Sequence, residues 1–92
     1  MMITFVPAKR DLTLQMRGLD FADAAEVFAG DRATWTDDRF NYGEVRQITA
    51  GWLKGRMVVI VWTQRGPNTH HIISMRYCHA KEVRKIRKRF GL

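Results

Sequence analysis

Met57-Val58-Val59-Ile60-Val61-Trp62 is apolar at every position, with Arg56 before it and Thr63-Gln64 after it. Side chains along a strand point alternately to opposite faces, so a strand apolar at both parities needs cover on both sides. The run is short and rich in β-branched residues. It therefore predicts a central strand over Arg56–Gln64 rather than a helix. It is also far short of the roughly 20 residues that an apolar helix needs to cross a bilayer.

The neighbouring segments extend a sheet from this strand. Arg65-Gly66-Pro67-Asn68 is the strongest turn signal in the chain, and Thr69–Tyr77 reads as the next strand. On the other side, Leu53-Lys54-Gly55 reads as a hairpin connection to Val45–Trp52, where Ile48, Ala50 and Trp52 fall on one side. Asn41-Tyr42-Gly43 is a further turn, preceded by a polar strand over Ala33–Phe40.

Helical periods occupy the two ends. Pro7 suits the first position of a helix that runs to Arg17, with Leu12 and Met16 on one stripe and Gly18 as its stop. Asp20 can cap a second helix, in which Phe21, Ala24, Ala25 and Phe28 repeat at buried-face spacing up to Gly30. Val83, Ile86 and Phe90 form the stripe of a last helix over His79–Phe90. Met2–Val6 is either an edge strand or an extended lead-in. The expectation is one α+β domain over residues 1–92. It has two N-terminal helices, an antiparallel sheet of three to four strands and a C-terminal helix, with the helices on one face.

Charge is distributed unevenly. Met1–Glu44 holds five basic and eight acidic residues, net −3, whereas Val45–Leu92 holds eleven basic residues and one acidic residue, Glu82, net +10. Such polarity suits one face to an anionic polymer, RNA above all, although a solvated basic surface serves solubility as well. Cys78 is the only cysteine, so no intrachain disulfide forms. Met1–Arg10 shows no basic segment leading into a long apolar run, so no signal peptide is expected. A cytoplasmic protein without a membrane segment or cofactor is expected. One cysteine and three histidines make no recognisable zinc set, so no metal is expected. Gly51, Gly55 and Gly66 read as turns, not as a phosphate loop.

Several pieces in order carry a resemblance. They are Phe21-x-x-Ala24-x-x-Val27-Phe28, Tyr42-Gly43-Glu44-x-Arg46-x-Ile48, Gly55-Arg56, Thr63-x-Arg65-Gly66 and His71-Ile72-Ile73-Ser74-Met75-Arg76. Together they resemble the BrnT family of type II toxins in the RelE-like ribonuclease superfamily, over about Lys9 to Arg84. The chain departs from that pattern at Met16-Arg17-Gly18, where Lys-His-Gly is common, at His71, where Arg is usual, and at Cys78-His79, where Ala-Thr is usual. The resemblance implies an endoribonuclease that arrests translation. It also implies a BrnA-like ribbon-helix-helix antitoxin, paired with the toxin in a heterotetramer.

Metal-free RNA cleavage must deprotonate a 2′-OH, stabilise a pentavalent phosphate and protonate the leaving 5′-oxygen. Arginine suits the second task, because its planar fork matches phosphate oxygens and keeps its charge. Arg46, Arg65 and Arg76 lie in or beside successive strands and match the family pattern; the alternative is surface arginines with one ion pair to Glu44. Glu44 is the carboxylate best placed for a general base, or else it orients an arginine. His71 is a catalytic candidate, or a structural histidine. His70 and His71 must point to opposite faces, so at most one serves a given site. Arg65, Tyr42, Trp52, Lys81 and Lys85 are candidates for holding substrate, with Tyr42 and Trp52 able to stack on bases. A non-catalytic basic RNA- or DNA-binding module, or a surface for an acidic protein, remains the alternative reading.

Overall fold

A computed structural model describes all 92 residues. The two-sided apolar run becomes β4 (Arg56–Gln64), the middle of a five-stranded sheet. On one side lie β3 (Arg46–Leu53) and then β2 (Arg32–Asp37); on the other lie β5 (Thr69–Tyr77) and then β1 (Met2–Phe5). β2 through β5 form the expected antiparallel meander. β1, however, pairs parallel with β5, Met2 opposite Thr69 and Phe5 opposite Ile72. The sheet is therefore mixed and has five strands, not three or four antiparallel ones. The chain starts at one edge, and its helical segment carries it over the sheet to the other. Such a crossover leaves no turn signal that local sequence can show.

The N-terminal helical region also differs from two full helices. α1 (Pro7–Arg17) forms as expected, with Pro in its first turn and Gly18 in the left-handed region at φ 70°. After it come a 3-10 turn, Phe21–Asp23, and a six-residue α2 (Ala24–Ala29). The Asp20 carboxylate caps the turn by accepting from the Ala22 N–H at 2.9 Å. At the C-terminus α3 (Ala80–Phe90) is capped by His79, whose Nδ1 accepts from the Glu82 N–H at 3.4 Å.

Helices cover both faces of the sheet, not one. Val58, Ile60 and Trp62 meet Phe21, Ala24, Val27 and Phe28 together with Leu19, Ile72 and Met75. Met57 and Val59 point the other way and join Ala50 and Ile86 of α3, with Trp35, Trp52 and Val83 at the margin. The cause is the apolar run itself, which leaves both parities of β4 to be removed from water. α2 lies directly on β3 at Gly51, where a Cβ would stand 2.6 Å from Val27 Cγ1.

α1 is fastened differently. It buries no residue. Arg10 donates to both carboxylate oxygens of Asp20 at 2.9 and 2.7 Å, and Arg17 donates to the Met75 carbonyl at 3.0 Å. Its apolar stripe stays in solvent, with Leu12 59% and Met16 73% exposed.

Candidate functional site

The face of the sheet that α3 covers is only partly closed. α3 sits over Ala50, Met57 and Val59, and beyond them polar side chains flank an uncovered apolar strip that includes Ile48 and Val61. Arg46 alternates with Ile48 and Ala50 along β3 and so shares their face. Past the Gln47–Trp62 pair it stands opposite Thr63, which itself pairs with His71. Arg76 pairs with Val59 on the same face.

His71 and Arg76 are five residues apart, an odd separation that would normally send them to opposite faces. The β4–β5 register shifts between Val61 and Trp62, so that Val61 faces Ser74 while Trp62 faces Ile72. This irregularity absorbs one residue of β5 and returns His71, Ser74 and Arg76 to one side. His70 turns to the α2 side. There it stacks on Trp62 with ring centroids 3.9 Å apart and meets the edge of Phe28.

The open face has two poles, about 13 Å apart along the strands and about 10 Å across them by standard sheet spacings. At the first, the Arg46 guanidinium lies 4.0 Å over the Tyr42 ring and its Nε reaches Glu44 at 3.4 Å. His71 Nδ1 shares a hydrogen bond of 2.9 Å with Thr4 Oγ1 of β1. Partial burial, then the positive charges of Arg65 and Lys9, push the His71 pKa down against an opposing pull from Glu44. The imidazole is therefore neutral at pH 7 and able to accept a proton.

At the second pole, Arg76 donates to both carboxylate oxygens of Glu82 at 2.8 and 2.7 Å. Those bonds hold the Glu82 carboxyl down at about 2, so it stays ionised at neutral pH. A cavity of about 330 Å³ opens here, with Arg39, Arg76, Ser74 and Glu82 around an apolar floor that includes Trp35 and Val61. Arg39 is fixed by Asp37, whose buried carboxylate accepts from its Nε at 2.7 Å and from its Nη2 at 2.9 Å. Tyr42 donates to the same carboxylate at 3.2 Å and so ties the two poles together.

The structure thus brings Glu44, Arg46 and Tyr42 into contact at one pole, sets His71 on the same face two strands away, about 10 Å by standard spacing, with Arg65 at the nearby turn, and places Arg76 at the other pole. Trp52 is half-buried between the sheet and α3, with the Arg87 guanidinium 6.0 Å from its ring. Lys81 and Lys85 are exposed on α3 and line none of the sheet-face cavities. Arg39, Asp37, Ser74 and Glu82 were not legible as site residues. The spacing Asp37-x-Arg39 at the end of an alternating strand was the one available signal, since it lets a carboxylate and a guanidinium meet across a tight bend. No three His, Cys, Asp or Glu side chains gather as a metal-ligand group. No helix is long and apolar enough to cross a membrane.

Comparison with known proteins adds the family. A family model described as "Ribonuclease toxin, BrnT, of type II toxin-antitoxin system" matches residues 5–82. No curated protein sequence matches the chain. Among solved structures, the 1.1 Å crystal structure of the Brucella abortus ribonuclease toxin BrnT aligns with a TM-score of 0.64 and 23% identity. The alignment covers 86% of this chain and 99% of that one. At that identity the structural likeness speaks for the fold, and the match along the sequence speaks for the family. The chain belongs to the BrnT family of ribonuclease toxins of type II toxin-antitoxin systems.

Proposed function

We propose that this chain is a metal-independent endoribonuclease of RelE-like type, acting on RNA across the open face of its sheet in the cytoplasm and so arresting translation. The observation that carries this reading is the shared face of Arg46, His71 and Arg76, reached through the register shift in β5. His71, neutral and oriented by Thr4, or Glu44 across the same face, takes the 2′-OH proton, and the 5′-oxygen leaves with a proton from solvent water. Arg46 stabilises charge on the pentavalent phosphate. Arg76 with Arg39 grips the strand farther along, and Arg65 steers it at the turn. Tyr42 offers a ring at the first pole. Trp52, Lys81 and Lys85 contribute charge and surface at the margin. A ribbon-helix-helix antitoxin neutralises the toxin in a heterotetramer.

The runner-up, a non-catalytic RNA- or DNA-binding module, has its own support. Arg46, Arg76 and Arg39 are each paired with a carboxylate, and the two poles do not meet on one phosphate. Induced expression with and without the antitoxin, together with cleavage of purified RNA in excess EDTA, separates the two. Growth arrest with EDTA-resistant cleavage supports the ribonuclease. RNA binding without cleavage supports the module.

A further inference from the structure

α1 spends none of its apolar surface on the core. It is fastened by polar ties through Arg10 and Arg17, while Leu12 and Met16 stand in solvent. Met2 (60% exposed) and Val6 (47% exposed) lie just before it in the chain and are also apolar and uncovered. A helix of eleven residues normally hides its apolar stripe, and an exposed stripe of this kind marks a contact surface. Beside it runs a groove of about 340 Å³ between α1 and β5, lined by Lys9, Leu12, Met16, Arg17, Ile73 and Ser74 among others. Its lining carries two cations and no acid.

Ser74 belongs both to this groove and to the cavity of Arg39 and Arg76. Anything long enough to fill the groove therefore ends beside the arginines of the substrate face. The lining holds no aromatic ring on which a base would stack, and ribose-phosphate gains nothing from a leucine and a thioether. An amphipathic protein segment gains from both its apolar stripe and its cations.

We propose that the α1–β5 groove is the seat of an acidic amphipathic segment of the antitoxin. Leu12 and Met16 anchor its apolar side, Lys9 and Arg17 meet its carboxylates, and its end covers Arg76. The inference rests on the toxin-antitoxin reading for the identity of the partner, but not on catalysis by this chain. One segment then both grips the toxin and closes the substrate face.

The test uses the full chain and its purified cognate antitoxin, obtained by co-expression and then separated. Leu12→Glu/Met16→Glu is expected to weaken the antitoxin Kd by roughly thirtyfold or more, as loss of central anchors does. The milder Leu12→Ser/Met16→Ser is expected to weaken it about tenfold. Both sites are exposed, so the circular dichroism spectra should match that of the parent, and the uncharged serine variant should keep the parent's RNA affinity. An antitoxin Kd unchanged in both folded variants overturns the proposal. So does a fall in RNA affinity with antitoxin binding intact, which would give the groove to RNA. If the parent chain binds antitoxin but cleaves no RNA, the ribonuclease reading fails, and the antitoxin Kd still decides this one.

Discussion

The two faces of β4 are built from one alternating run and end up unlike. Toward α2 the apolar layer runs from Val58 through Ile60 to Trp62, and the ring of His70 stacks there against Trp62 and Phe28, beside a cavity of about 540 Å³ at the sheet's end. Toward α3 the cover stops after Val59, and Arg46, His71, Ser74 and Arg76 stand where it ends. The difference lies in the lid. The 3-10 turn and α2, with Leu19 just before them, spread several apolar side chains over one face, whereas α3 brings one buried residue, Ile86, and a highly charged exterior. Adjacent histidines show the consequence. His70 keeps a buried Nδ1 without a partner, while His71 is held at the open face by Thr4. A strand can thus supply a buried core on one side and an open, polar surface on the other.

If the open face is where RNA lies, salt should break the contact most. About six phosphate contacts on a single strand give a slope near −4 in log K against log salt, so affinity falls roughly three-hundredfold between about 50 and 200 mM salt. Filter binding or fluorescence anisotropy would measure it, and a flat dependence would remove the electrostatic basis of the comparison. Next in size are the arginines. Arg46→Ala should lower RNA cleavage about a hundredfold, the usual loss when one donor to a developing charge is removed, and Arg76→Ala, which loosens the grip farther along the strand, about tenfold through weaker binding. Melting temperatures should stay near the parent value, because both side chains pair only at the surface with Glu44 and Glu82. Full cleavage by both variants would leave the open face without a catalytic role.

What could be read beforehand follows from how local each signal is. β4 announced itself because burial on both faces writes apolar residues at both parities. β1 stood open between an edge strand and an extended lead-in, and it is an edge strand; its parallel partner was not legible, since pairing with a strand 67 positions away leaves no local pattern. The stripe of α1 was visible, but periodicity cannot tell a stripe that faces the core from one left for a partner. Arg46, Arg76 and His71 were visible as residue types. Their common face was not, because it depends on one extra residue in β5 that no turn motif marks. Arg39 escaped because its role comes from Asp37 and Tyr42 across a bend.

The closed face can be challenged by filling it. Gly51→Ala pushes a Cβ to within 2.6 Å of Val27 Cγ1, a fully buried neighbour with nowhere to turn. Overpacking of this kind costs about 1–3 kcal/mol. For a domain of this size that lowers the melting temperature by about 5–20 °C, with the RNA affinity per folded molecule unchanged. A smaller loss is expected in acid, and it belongs to the open face. Hydrogen bonds from Arg39 hold the Asp37 pKa at about 2, below its ordinary 3.8. A depressed carboxylate contributes stability that is complete above about pH 4 and disappears as pH falls toward 2. Thermal melts from pH 5 to 2 should show this decline, and Asp37→Asn should make it shallower without abolishing it, because Asp20 and Glu82 are held down at about 2 as well.

The smallest expected effect belongs to Lys85, and it fixes where the open face ends. Lys85 is exposed on α3, among Lys81, Arg84, Lys88 and Arg89, and its side chain joins no hydrogen bond or ion pair. Removing one such charge changes a field that its neighbours and the counterions still maintain, and at 0.15 M salt the screening length is about 8 Å. Lys85→Ala should therefore weaken RNA binding by about twofold or less and leave the cleavage rate where it is. Arg76→Ala removes a guanidinium that Glu82 holds at the lining of a cavity, so it should weaken RNA binding several times more than Lys85→Ala does. A tenfold loss from Lys85→Ala would carry the RNA path up onto α3, and the boundary drawn at Val59 between covered and open sheet would no longer describe the site.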